Sequence, residues 1–158
     1  MKTIFAAIGS LAILQTAAAT EIAVTYSDDF AEELADNYGE REGEKLTEDI
    51  LDDLHRAFEK AGVDPAKVDV EIVNAKPNRP TFEQLSSEPG LDAFRSISIG
   101  GMELVGTVYD AEGNVVATQE YCWFENIIRD VVGSATWTDA NRASRRFATK
   151  LAAQLNDS

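Results

Sequence analysis

The residues predict an α+β fold: about four strands in a mixed or antiparallel sheet, a long β-hairpin within it, and two long helices packed on one face. Three observations carry that reading. Arg95–Phe124 reads as two strands folded back on each other around Asp110–Asn114. Glu40–Ala61 and the stretch after Thr138 repeat apolar residues at spacings of three and four, the stripe of a helix with one buried face. Glu21–Tyr26 and Val68–Ala75 alternate apolar and polar side chains, which a strand directs to opposite faces.

Taken in order, Met1–Ala19 has the features of a signal peptide. Lys2 is its charged start, Ile4–Leu14 its apolar centre and Ala17-Ala18-Ala19 its small-residue cleavage site. That apolar run is shorter than the roughly 20 residues a spanning helix needs, and no other stretch is apolar enough to cross a bilayer. Residues 20–158 are then read as one exported domain, large enough for its own core. Glu21–Tyr26 is the first strand, and Ser27-Asp28-Asp29 opens a short helix that fails at Tyr38-Gly39. The main helix runs over Glu40–Ala61, with Leu46, Ile50, Leu54 and Phe58 on one face. Gly62 and Pro65 end it.

After the strand Val68–Ala75 comes Lys76-Pro77-Asn78-Arg79-Pro80-Thr81, the most individual stretch of the chain. Two prolines hold Asn78-Arg79 extended. Thr81, with Gln84 three residues on, forms a capping box for a short helix. In the hairpin Ile97 and Ile99 alternate with serines, and Gly100-Gly101 marks a bulge or bend. Asp110-Ala111-Glu112-Gly113 supplies turn chemistry. It is no calcium loop, because the glycine and the closing glutamate are out of place. Thr138 is the expected cap of the last helix, whose buried stripe is Ala140, Ala143, Phe147, Leu151 and Leu155.

Candidate ligand or partner residues are Asn78, Arg79 and Thr81 in the proline-flanked loop and Arg142, Arg145 and Arg146 on the last helix. An arginine fork either locks a loop by binding carboxylates and carbonyls or takes an anionic ligand. Locking is the preferred reading of Arg79, with the hairpin face or the Trp137 region as receptor. The three helical arginines either pair with the acidic main helix or form a docking patch for an acidic partner. The one cysteine, Cys122, excludes an internal disulfide, and its aromatic neighbours Tyr121 and Trp123 favour burial in the core.

Composition excludes several function classes. Asp and Glu number 28 against 14 Lys and Arg, a net charge of −14, which opposes binding to nucleic acid or anionic membranes. A single histidine, His55, leaves no triad or multi-histidine metal site. Phosphate loops, nucleophile elbows and zinc-protease motifs are missing from the sequence. Neither an enzyme nor a cofactor or metal protein is therefore predicted.

The segments PNRPTFEQL, PGLD, RSISIGG and TWTDANRASRRFA resemble a family of exported proteins from alphaproteobacteria that brings no known activity. The order of elements resembles, at the level of fold alone, the small α/β module of the TolB N-terminal domain and of lipoprotein activators of penicillin-binding proteins. The resemblance implies a non-catalytic periplasmic or secreted module that binds another envelope protein, as a monomer or weak dimer. A periplasmic binder of a small molecule or ion, using the Arg79 loop or the acidic helix, is the alternative.

Overall fold

Residues 19–157 are described in the structure, a computed structural model, so the expected signal peptide lies outside them except for Ala19. Strand β1 spans Glu21–Tyr26 and ends at Ser27. The Ser27 hydroxyl accepts the Phe30 N–H at 3.1 Å and donates to the Val73 carbonyl at 2.8 Å. One side chain thus caps helix α1 (Asp28–Glu33) and ties it to the neighbouring strand. A π-helical turn, Leu34–Tyr38, leads into α2 (Glu40–Ala61). Gly62 ends α2 in the left-handed region, φ 69°, where the Gly62 and Val63 N–H groups return to Glu59 and Phe58. Then follow β2 (Lys67–Lys76), α3 (Phe82–Ser87), β3 (Gly101–Tyr109), β4 (Val115–Phe124), a 3₁₀ turn (Ile128–Val131) and α4 (Thr138–Asn156).

The sheet is mixed, in the order β1-β2-β3-β4. β1 runs parallel to β2, whereas β2–β3 and β3–β4 are antiparallel. Both long helices cover the same face. Leu46, Ile50, Leu54 and Phe58 of α2 and Ala140, Ala143, Phe147 and Leu151 of α4 are buried with Val68, Val70, Ile72, Met102, Leu104 and Val108 of the sheet. Gly106 makes room there. A Cβ on it would sit 2.6 Å from Cζ of Phe147, so the ring packs directly on the strand backbone. Burial of each large apolar side chain contributes about 1.5–3 kcal/mol.

Three expectations are corrected. The first hairpin strand begins at Gly101, not Arg95. Ile97 and Ile99 do alternate with serines, but the hydrogen bonds of this segment go to the proline-flanked loop and not to a strand. The Ser98 N–H donates to the Asn78 carbonyl at 2.9 Å and its hydroxyl to the Pro77 carbonyl at 2.6 Å. The double glycine marks the junction, since a Cβ on Gly100 would meet the Lys76 carbonyl at 2.8 Å. The second correction concerns the start of α4. Trp137, not Thr138, is its cap residue, and the Thr138 hydroxyl instead accepts the Ala135 N–H.

The third correction is Cys122, which is exposed. Tyr121 and Trp123 pack against the core, so the two-residue period turns the intervening Cys122 to the uncovered face, opposite Glu103. Partial desolvation, and then the Glu103 carboxylate, push its thiol up from the usual value. Alkylation of the native protein is therefore expected to proceed without denaturant, and to accelerate steeply as pH rises because the thiolate is the reacting form. Labelling followed by intact mass at two pH values checks this. A thiol that reacts only after denaturation contradicts the exposed placement.

The hairpin turn is closed by its own aspartate. Asp110 Oδ1 accepts the Glu112 and Asn114 N–H groups at 3.0 and 2.8 Å, and Asn114 Nδ2 reaches Oδ2 at 3.0 Å. These donors, the Asn114 side chain first, hold the carboxyl below its usual range.

Candidate functional site

The proline-flanked loop and the segment before α4 meet at the end of the sheet where β2 leaves and β3 begins. Asn78 is fully buried there, and each of its polar groups is engaged. Its N–H donates to the Thr136 carbonyl at 2.7 Å. Its side-chain Oδ1 accepts the Asp139 N–H at 2.9 Å. Nδ2 donates to the Asp139 carboxylate at 2.5 Å and to the Ser98 carbonyl at 3.2 Å. The first-turn N–H groups of a helix lack partners within it. Here the amide of Asn78 supplies one to α4 from 61 residues away. Asp139 also accepts from Arg142 Nη1 at 3.1 Å, so Arg142 belongs to this network. Glu125 lies 3.8 Å from the same nitrogen.

Arg79 joins two loops. Its Nε donates to the Ser134 carbonyl at 2.5 Å, and its Nη1 to the Phe94 and Ala93 carbonyls at 2.7 and 3.3 Å. Ser134 belongs to the segment leading to Trp137, one of the two receptors expected for it. In this arrangement the fork holds main-chain oxygens. Thr81 is buried and closes the capping box with Gln84. The three loop candidates therefore come together as a clasp, each engaged by the protein itself.

The clasped loops carry apolar side chains outward. Among the described residues, seven of the nine exposed large hydrophobics lie in two segments: Phe82, Phe94, Ile97 and Ile99 in one, Ile127, Ile128 and Val132 in the other. Phe82 is 80% exposed and Phe94 86%. Their backbones are nevertheless fixed. The Asp92 carboxylate accepts the Phe94 and Arg95 N–H groups, both at 2.8 Å, and the Glu125 N–H reaches the Gly100 carbonyl at 2.9 Å. A groove of about 420 Å³, lined in part by Tyr38, Pro80, Leu91, Ile97 and Ile99, opens beside Arg79.

The helical arginines are divided. Arg145 and Arg146 are exposed on α4. Pairing with the acidic main helix describes only Arg145, whose charge acts on Asp53 of α2. Asp53 is turned inward, accepting from the Ser144 hydroxyl at 2.9 Å and Arg56 at 3.0 Å. Desolvation nevertheless raises its carboxyl above the usual range. Arg146 instead lies over the Trp123 ring of β4, 4.6 Å from its centroid.

A larger cleft of about 730 Å³ opens between α1, the π-helical turn and β2, with Asp29, Glu33, Asp36 and Glu103 among its walls. Tyr38 borders it, and desolvation, then Glu33, raise its phenol. The acids do not converge: among the described residues, no group of three or more His, Cys, Asp or Glu side chains is placed to hold a metal ion. Likewise no described helix is long and apolar enough to cross a membrane. His55 is exposed on α2 and Cys122 lies on the sheet face away from the helices, so the two do not form a dyad.

Sequence reasoning missed Asp139, Glu42 and Ser144. Asp139 and Ser144 are both buried polar residues, and Glu42 accepts the Trp137 indole N–H. The one local signal was the Trp137-Thr138-Asp139 run, which reads as a helix start and conceals that Asp139 faces inward. Fold and site together define an α+β domain with a clasped, apolar-tipped loop pair at one end. Compared with protein-family models, with curated proteins and with solved structures, the chain matches none.

Proposed function

We propose that the chain is a non-catalytic, exported protein-binding module of the cell envelope, and that it docks a partner through the clasped loop end. One observation carries this reading. Seven large apolar side chains are exposed on segments that main-chain hydrogen bonds and the Arg79 side chain tie to one another. Exposed apolar groups concentrated in one region mark interaction surfaces. Ordering the loops in advance lowers the entropy cost of binding. The occupied Arg79 fork and the uncongregated acids of α2 favour this reading over a small-molecule or ion binder. Export rests on the Lys2, Ile4–Leu14 and Ala17–Ala19 pattern, and the envelope partner on the resemblance of the element order to that of envelope modules.

The test uses immobilised chain starting at Thr20 and an extract of exported proteins. Wild type is expected to retain a partner that a Phe82→Ser, Phe94→Ser variant does not. Both side chains are largely exposed, so the melting temperature is expected to move by no more than about five degrees. Equal capture by the two proteins refutes the loop end as the docking surface. An exported protein that keeps Met1–Ala19 by intact mass refutes the proposed cleavage.

A further inference from the structure

We propose that the outer edge of β4, together with the basic rim of α4 beside it, docks an extended segment of a partner protein with Glu or Asp at alternate positions. This surface adjoins the clasp at Arg142 but uses none of the exposed apolar side chains of the loop end.

β4 is the last strand of the sheet, ten residues long, and no described strand pairs with its outer side. An edge of that kind offers unpaired N–H and C=O groups to another chain. Its helix-facing side chains form a ladder with α4. Arg142 and Arg146 lie over Trp123, 5.7 and 4.6 Å from its centroid, and Lys150 lies 5.8 Å from that of Tyr121. Next in line, Gln154 Nε2 donates to Gln119 Oε1 at 2.8 Å. The two repeats nearly match. Four helical residues rise about 6 Å, and two strand residues about 6.8 Å. Helix positions 146, 150 and 154 therefore keep pace with strand positions 123, 121 and 119.

Charge decides what such an edge would take. In a chain with twice as many acids as bases, Arg146 and Lys150 have no carboxylate within ion-pair distance among the described residues. Both rest on aromatic rings instead. A guanidinium lying against a ring keeps its in-plane N–H donors available for a carboxylate. A peptide added as a fifth strand would pair its main chain with β4 and send every second side chain to the helix side. Acids at those positions arrive at the spacing of Arg146 and Lys150. A polyanion without a strand backbone gains only the charge contacts, with no main-chain pairing to offset the repulsion of a net −14 that any acidic ligand meets.

The probe is a capped peptide of about ten residues alternating Glu with Thr, titrated calorimetrically at low salt against the chain from Thr20. Binding is expected, with an affinity that falls as salt is added. The double reversal Arg146→Glu, Lys150→Glu is expected to weaken it by about tenfold or more in a protein that still folds, its melting temperature lowered by several degrees through the two lost ring contacts. N-methylation of the peptide on the pairing side is expected to weaken it by at least a similar factor. The proposal is overturned if a Lys–Thr peptide binds as well, or if the double reversal has no effect. It is equally overturned if N-methylation is harmless, which would reveal point-charge capture, or if a thymidine oligonucleotide of like length binds more tightly. The loop-end variant Phe82→Ser, Phe94→Ser is expected to bind the peptide normally, so the two surfaces can fail separately.

Discussion

Asn78→Ala is expected to destabilise the protein more than any other single change at the loop end. The alanine keeps the main-chain bonds to Thr136 and Ser98 but removes every bond made by the amide. Two groups of Asp139 then lose their partner at a site that is 1% exposed: the N–H in the first turn of α4, and a carboxylate oxygen. Leaving a buried N–H or carboxylate oxygen without its hydrogen bond costs about 1–3 kcal/mol each. Arg142 remains on the other oxygen and offsets part of that. The melting temperature is expected to fall by roughly 10 °C or more, given about 3–5 °C per kcal/mol for a domain of this size. Asp139→Ala should cost much as well, and the double variant less than the sum, because each single change orphans the other residue. Thermal unfolding of the four proteins checks this. Additive effects, or a fall of only about two degrees in Asn78→Ala, contradict the clasp.

The helices were legible in the sequence because their signals are local. Gly62, and Thr81 with Gln84, act within one turn of the residues that they cap. The spacing of Leu46, Ile50, Leu54 and Phe58 needs no distant partner to be read as one face. The clasp was not legible, for the opposite reason. Asn78 and Asp139 are 61 residues apart, and neither carries a local pattern naming the other. Asn78 stood out only for its flanking prolines. Cys122 was misread because the run Tyr121-Cys122-Trp123-Phe124 is apolar at every position and so has no phase of its own. Pairing with β3 sets the phase, placing Tyr121 opposite Leu104 and Cys122 opposite Glu103. Ile97 and Ile99 misled in another way. Alternation marks an extended backbone, and the same backbone lies equally well against a proline-flanked loop.

Arg79→Ala is expected to unfasten the two apolar loops while leaving the rest of the fold in place. Pro77 and Pro80 fix the backbone around residue 79, so the arginine is not needed to shape its own loop. Its donors hold Ser134 on one side and Ala93 and Phe94 on the other, and these carbonyls have water as a replacement partner near the surface. The cost is therefore smaller than for Asn78, about 1–3 kcal/mol, or a fall of roughly 5–10 °C in melting temperature. Arg79→Lys should recover little of it, because one ammonium cannot span both loops as the planar fork does. A second readout separates a lock from general weakening. With the Phe94 carbonyl released, chymotrypsin is expected to cut after the exposed Phe94 faster than in wild type, at temperatures where both proteins are folded. A melting temperature within about a degree of wild type and an unchanged cleavage rate would show that the loops hold themselves. Should cleavage accelerate while the proposed partner is still retained, the lock stands and the need for prior ordering of the loops does not.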